Sequence, residues 1–263
     1  MLAINWNIFS FIFIPLAVIL SAVGLWFLAF NVCTKVSTIL LFRNERSFGR
    51  IININHEQHF VRTVKGDSVD LWWLPHPHAT DVVLYLHGNS GRLPHFFQSF
   101  CKDYNVLAPS YPGYGLSEGS PSEENIYETA KLAYQWLIDK GFQENQIIIW
   151  GHSLGGVPAV YLASKHPDRK KLVVVNSFDS VRNVCRLKHG FIAPFFIRDR
   201  FRAIDHAKNV EGKVVHFCYS RDKTVPFASC KLLYDNYKTQ NKKLLEIDGP
   251  CHEYFDVEAT LKD

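Results

Sequence analysis

The stretch IIIWGHSLGGVPAVYLAS, residues 147–164, constrains the fold more tightly than any other part of this 263-residue chain. Ile147–Trp150 is a run of strand formers with no polar residue, the pattern of a strand covered on both faces. Val157–Ser164 reads as a helix. Only Gly151–Gly156 joins the two, so strand must pass into helix through one sharp corner. Ser153 stands at that corner among Gly151, Gly155 and Gly156. G-x-S-x-G between a strand and a helix is a turn that strains the backbone at the serine and holds its hydroxyl out of the sheet. Small neighbours are needed where the helix passes close to the strand. The pentapeptide alone is a weak signal, and an ordinary strand-to-helix turn is the alternative.

The same rhythm runs through the body of the chain. His59–Val64 and Val69–Leu74 flank the turn KGDS as a hairpin. Strands are predicted in DVVLYLHGNSG (81–91), YNVLAPSY (104–111), Leu172–Phe178, Lys213–Tyr219 and Lys243–Ile247. Helices are predicted from Ser120 to Gly141 and around Leu232–Tyr237. In the first of these Ser120 serves as cap, Pro121 takes the first helical position, and Glu123 completes a capping box. Apolar strands alternating with helices imply an α/β domain with a mostly parallel central sheet and helices on both faces. Ligands of such sheets bind outside the carboxyl ends of the strands. The polar turns HGNSG, PGYGLS, GHSLGG and YSRDKT fall there.

A nucleophilic serine needs a base, and the base needs a group that orients it. In the chain order Ser, acid, His expected of this architecture, Asp222 follows the strand KVVHFCY and His252 follows the last strand. Asp179, after LVVVNSF, is the rival acid; Asp248 and Asp256 are only sequence neighbours of His252. The oxyanion formed in acyl transfer needs preorganised N–H donors. Leu154, directly after the serine, supplies one, and Asn89 in the HGNSG turn the other, with Ser90 as its alternative. His87 reads as a shaper of that turn, and His76 and His78 as loop residues. No metal or organic cofactor is required. Six scattered cysteines without C-x-x-C spacing read as reduced thiols, most of them small core residues. A net charge of +4 with no basic run interleaved with aromatics excludes a nucleic-acid partner.

The first 30 residues carry no charged side chain. Ile8–Val32 is long and apolar enough to cross a bilayer as a helix. A cleaved signal peptide fits less well, because no basic residue precedes the run. Lys35, Arg43, Arg46 and Arg50 all follow it, which predicts a single-pass N-terminal anchor with the remaining domain in the cytoplasm. The expected organisation is an anchor and juxtamembrane segment over 1–50 and a catalytic domain over 51–263. Within that domain a short lid spans 179–212, carrying the aromatic and basic stretch FIAPFFIRDRF (191–201).

The motifs LYLHGNSG (84–91), YPGYGLSEGSPSE (111–123), GHSLGG (151–156), SRDKTVP (220–226) and GPCHEYF (249–255) together resemble those of the α/β-hydrolase-fold serine hydrolases. The chain is most similar to the membrane-anchored, short-lid alpha/beta hydrolase domain-containing group, over roughly residues 55–263. It departs from that group at Pro112, where arginine is usual, and at Tyr219, where glycine is usual. The resemblance implies a membrane-tethered hydrolase of acyl esters or thioesters, acting on small acyl-ester, lipid or acylated-protein substrates. Two alternatives remain: an aminopeptidase-like serine hydrolase, and a non-catalytic membrane-tethered binding protein on the same fold.

Overall fold

The computed structural model describes residues 19–21, 23–25, 56–91, 97–197 and 199–249. Eight strands form one sheet: β1 (Glu57–Arg62), β2 (Ser68–Leu74), β3 (Val82–Leu86), β4 (Asn105–Pro109), β5 (Ile147–His152), β6 (Lys171–Val175), β7 (Val214–Tyr219) and β8 (Lys242–Ile247). Their spatial order is β1-β2-β4-β3-β5-β6-β7-β8. The β1–β2 and β2–β4 pairs are antiparallel and all the others parallel, so the expected mostly parallel sheet is present. From β3 the chain moves outward to β4, then returns to place β5 on the other side of β3. That reversal falls between β3 and β5, and the carboxyl ends of strands at such a switch point are where open α/β sheets bind ligands.

Beyond the helical residues 19–21 and 23–25, six α-helices are described: α1 (Phe97–Asp103), α2 (Glu123–Asp139), α3 (Gly156–Ala163), α4 (Val181–His189), α5 (Ala203–Ala207) and α6 (Phe227–Asp235). Alternation along the central strands sorts the core into two layers. Leu84, Leu86, Ile147, Ile149, Leu172 and Val174 pack against α2, α3, α5 and α6 through Ile126, Ala130, Val160, Ala207 and Leu233. Val83, Tyr85, Ile148, Trp150, Val173 and Val175 face the other way, with Phe100 of α1. Buried aromatic pairs add to this second layer: Phe100 meets Trp150 edge-on at 4.6 Å.

Several local expectations need correction. The cap of α2 is Ser122, whose hydroxyl accepts from the Asn125 N–H at 3.2 Å. Ser120 and Pro121 lie before the helix, and the Ser120 carbonyl accepts from the Asn125 side chain at 2.9 Å. Glu123 closes no capping box with Ser120; its carboxylate accepts from the Arg200 N–H at 2.9 Å, a contact 77 residues away. The helix does stop at Gly141, as expected, with φ +103°. The strand predicted over Leu172–Phe178 ends at Val175, because Asn176 turns left-handed at φ +47°. The short helix α1 had no clear signature in the sequence.

Cys218 and Cys230 are not reduced thiols: their sulfurs are joined in a disulfide, with Cα atoms 6.0 Å apart. Cys218 lies near the end of β7 and Cys230 in the first turns of α6, which folds back over that strand. Cys101 and Cys185 are partly buried, and neither is joined to the Cys218–Cys230 bridge.

Most of the apolar run 8–32 lies outside the described residues. Ile19, Leu20, Val23 and Leu25 are helical and exposed. Among the described residues no helix is long and apolar enough to cross a membrane.

Candidate active site

The corner between β5 and α3 is as tight as its glycines predict. Ser153 is buried and has φ +51°, a left-handed conformation that side chains other than glycine rarely adopt. Such strain costs on the order of 1–3 kcal/mol and persists only where the surroundings enforce it. The glycines are what make room. A Cβ at Gly155 would lie 2.0 Å from the Leu86 carbonyl oxygen, and one at Gly151 2.5 Å from the Gly155 carbonyl oxygen. A Cβ at Gly156 would lie 2.3 Å from Ser177. Helix and strand therefore pass backbone to backbone, and Ser153 begins the 3-10 turn Ser153–Gly155 that leads into α3.

The turn after β3 lies against this corner. Leu86 pairs with Gly151 across the parallel ladder, and a Cβ at Gly88 would sit 3.3 Å from the Ser153 Cβ. Asn89 follows at once. Its carbonyl and side-chain oxygens accept from the Tyr114 hydroxyl at 2.9 and 3.1 Å. Tyr114 is wholly buried and leaves no room for a Cβ at Gly91, which would meet the ring at 2.6 Å. Thus the turns after β3, β4 and β5 touch in series: Asn89 is tied to Tyr114, and Gly88 beside it lies against Ser153.

His87 shapes the same turn. Its Nδ1 lies 2.7 Å from the Gly88 carbonyl, and its Nε2 accepts from the Tyr111 N–H at 3.2 Å. That pairing requires a neutral ring with the proton on Nδ1. Burial pushes the imidazole down to about 4, only partly offset by the bond to Gly88. His216, buried on β7, is pushed down by burial to about 3. Both rings are neutral in the fold and charge only in the unfolded chain once the pH falls below roughly 6.5. The stability they confer is complete above that pH and is lost as the pH falls toward 4 and 3. At about 1.4 kcal/mol per pH unit, His87 loses roughly 3 kcal/mol and His216 roughly 5 kcal/mol over its window. Thermal melts at pH 7, 6 and 5 are therefore expected to fall progressively, before most carboxylates titrate. A flat melting temperature across that range would contradict the assignment of both rings as neutral.

Of the two rival acids, only Asp222 lies just beyond β7. It is buried, and its Oδ1 accepts from the Thr224 and Val225 N–H groups at 2.6 and 3.1 Å, which fixes the carboxylate within its turn. Asp179 is consumed by other bonds. Its Oδ1 accepts from Asn183 Nδ2 at 2.7 Å and from Ser229 Oγ at 2.5 Å, and its Oδ2 accepts from Ser180 Oγ at 2.9 Å. It is a clamp between the start of α4 and α6. Asp248 is exposed and pairs with Arg221 at 3.1 Å. That ion pair and the Arg221 N–H bond to the Gly249 carbonyl at 3.1 Å hold the end of β8 against the turn that carries Asp222. His252 lies outside the described residues, three positions beyond Gly249.

Among the described residues, the group close enough to hold a metal ion is His216, Cys218 and Cys230. Its two sulfurs are bonded to each other, so neither is available as a thiolate. His76 and His78 are confined to the loop after β2, where His76 Nδ1 accepts from the His78 N–H at 3.2 Å.

Residues 81–197 match the family described as the alpha/beta hydrolase fold. An uncharacterized membrane protein of Saccharomyces cerevisiae is 31% identical over 217 residues, covering 76% of this chain and 74% of its own length. A lysophosphatidylserine lipase of Danio rerio is 32% identical over 189 residues, covering 62% of this chain and 48% of its own length. Among solved structures, an esterase of Pyrococcus furiosus shares the fold with a TM-score of 0.61 at 16% identity, over 75% of this chain and 83% of that one. With the strained serine corner at the β3–β5 switch point in place, these likenesses agree: the chain belongs to the alpha/beta hydrolase domain-containing protein family.

Proposed function

We propose that this protein is a membrane-tethered serine hydrolase that cleaves acyl esters or thioesters through an acyl-enzyme. The observation that carries the reading is the left-handed Ser153 in a corner walled by Gly151, Gly155 and Gly156 at the carboxyl end of β5, the backbone arrangement of a nucleophile turn. In this reading Ser153 Oγ attacks the acyl carbonyl while His252 accepts its proton. Asp222, fixed by two backbone N–H groups, holds the imidazole in the tautomer that leaves its other nitrogen free to act as base. The N–H groups of Leu154 and Asn89 stabilise the oxyanion; Leu154 is favoured by its place at a helix start, Asn89 by the Tyr114 clamp. His252 then protonates the leaving alcohol or thiol, and water enters by the same route in reverse to release the acid. The N-terminal apolar run supplies the tether, which accords with the yeast relative's description as a membrane protein. Lipid esters are favoured because the zebrafish relative is a lysophosphatidylserine lipase and the archaeal neighbour an esterase.

Fluorophosphonate labelling of the full chain in detergent, followed by hydrolysis of ester and thioester series of increasing acyl length, tests the reading. Wild-type protein that is folded but neither labels nor hydrolyses any member of the series would overturn it. The two acids give a second test. Asp222→Asn is expected to lower kcat about 10⁴-fold with the melting temperature little changed. Asp179→Asn is expected to lower the melting temperature, because its Ser229, Ser180 and Asn183 donors lose a charged acceptor, while labelling survives. The reverse pattern would exchange the roles of the two residues.

A further inference from the structure

Charge and exposed apolar surface are both concentrated in one short segment between β6 and β7. Residues 181–202 carry six Lys or Arg and one Asp, in a chain whose whole excess is +4. Outside residues 19–25, eight large hydrophobic side chains are exposed among the described residues, and four of them fall here: Leu187, Phe191, Ile192 and Phe195. Phe191 is the most open of these four, at 76%. The local backbone explains why. α4 ends at Gly190 with φ +86°, and the 3-10 turn Ala193–Phe196 follows at once, so Phe191, Ile192 and Phe195 stand on a short, tight projection. The projection is held rather than loose: the Ile197 N–H donates to the Pro194 carbonyl at 3.3 Å, and Arg182 donates to the Ile197 carbonyl at 3.4 Å.

The cations around this projection are largely uncompensated. Arg202 pairs with Asp205 at 2.6 Å. Among the described residues the ion pairs leave out Arg182, Arg186, Lys188 and Arg200. Arg186 spends its guanidinium on Asn183 Oδ1, a neutral acceptor, at 2.9 Å. Burial, together with Arg200 and Arg202 nearby, pushes Arg182 below its ordinary range, as expected where like charges crowd. Exposed aromatic and aliphatic tips ringed by cations outside any described ion pair match an anionic lipid leaflet: the tips enter the boundary between headgroups and acyl chains, and the cations meet phosphates.

We propose that the projection Leu187–Phe195, with Arg182, Arg186, Lys188 and Arg200 around it, is a second membrane contact that docks on anionic phospholipid. It extends from the crossover that leaves the carboxyl end of β6, the edge of the sheet at which Ser153 lies, so docking turns that edge toward the bilayer. The contact stands whether or not the protein hydrolyses anything.

Amide hydrogen exchange of the full chain in vesicles tests it. The proteins compared are wild type, the triple variant Phe191→Ser/Ile192→Ser/Phe195→Ser, and the charge variant Arg186→Glu/Lys188→Glu. Each is placed in phosphatidylcholine vesicles with and without phosphatidylserine. In the presence of phosphatidylserine, amides of residues 187–197 are expected to exchange about 10-fold more slowly in wild type than in the triple variant. That protection is expected to shrink in pure phosphatidylcholine, at high salt, and in the charge variant. Exchange in β3 and β5 reports whether each variant is folded, and the exposed charge variant keeps the test open if the triple variant is not. Equal exchange in wild type and a folded variant would overturn the proposal. So would protection independent of phosphatidylserine, or protection that appears without lipid as protein concentration rises, which would mark a contact between copies.

Discussion

Ser153→Ala is expected to abolish fluorophosphonate labelling and to lower kcat on the order of 10⁶-fold, while the melting temperature holds or rises. The two readouts separate chemistry from structure. Removing the hydroxyl takes away the only atom that can form the acyl bond, and what remains is the modest stabilisation from the oxyanion donors and binding. The backbone strain at φ +51° stays, because alanine has a Cβ as serine does. The buried hydroxyl, however, no longer has to be accommodated, so the fold loses little. Labelling that persisted in the alanine variant would place the nucleophile elsewhere. A large drop in melting temperature alongside lost activity would instead make Ser153 a structural residue.

The largest structural effect is expected at Gly155. A methyl group there would lie 2.0 Å from the Leu86 oxygen, 2.5 Å from the Leu86 carbonyl carbon and 2.6 Å from the His87 oxygen. All three are backbone atoms, and Leu86 belongs to the centre of the sheet, paired to β5. No rotamer change can relieve the clash, so α3 must lift away from β3. Overpacking of this kind costs more than the usual 1–3 kcal/mol when no flexible side chain can yield. Gly155→Ala is therefore expected to lower the melting temperature by about 10 °C or more, or to prevent folding. The contrast is Gly249→Ala, whose Cβ would meet the Tyr219 ring at 3.5 Å, an ordinary contact. Comparable melting temperatures for the two variants would show that the corner can open.

Legibility of the fold follows the range of the interactions involved. The β5–α3 corner was legible because everything that makes it, glycines and serine alike, lies within six residues. The strands were legible because burial on both faces leaves continuous apolar runs. The cap of α2 was misplaced by two residues because Ser120 and Ser122 both precede acidic residues, and the choice between them depends on Asn125 and on distant Arg200. The work of Asp179 was hidden for the same reason: Ser180 and Asn183 are neighbours, but Ser229 is fifty positions on. Cys218 and Cys230, twelve apart, become partners only when α6 folds over β7. Helix α1, seven residues long, is too short for periodicity to reveal.

That cystine has a consequence for the acid. Cys218 and Cys230 bound a closed ring of chain, and Asp222 lies inside it. A ring of about this length removes roughly 3 kcal/mol of freedom from the unfolded ensemble, on the chain-entropy account. The gain falls locally, on the turn that presents the carboxylate. Even when α6 frays, Asp222 cannot stray farther from β7 than the ring allows. Bonds of this kind persist in oxidising compartments and are rare in the cytosol, where glutathione keeps thiols reduced. The electron balance of the surroundings therefore reaches the acid without touching it: oxidised, the pair holds Asp222 on a short tether; reduced, on a longer one.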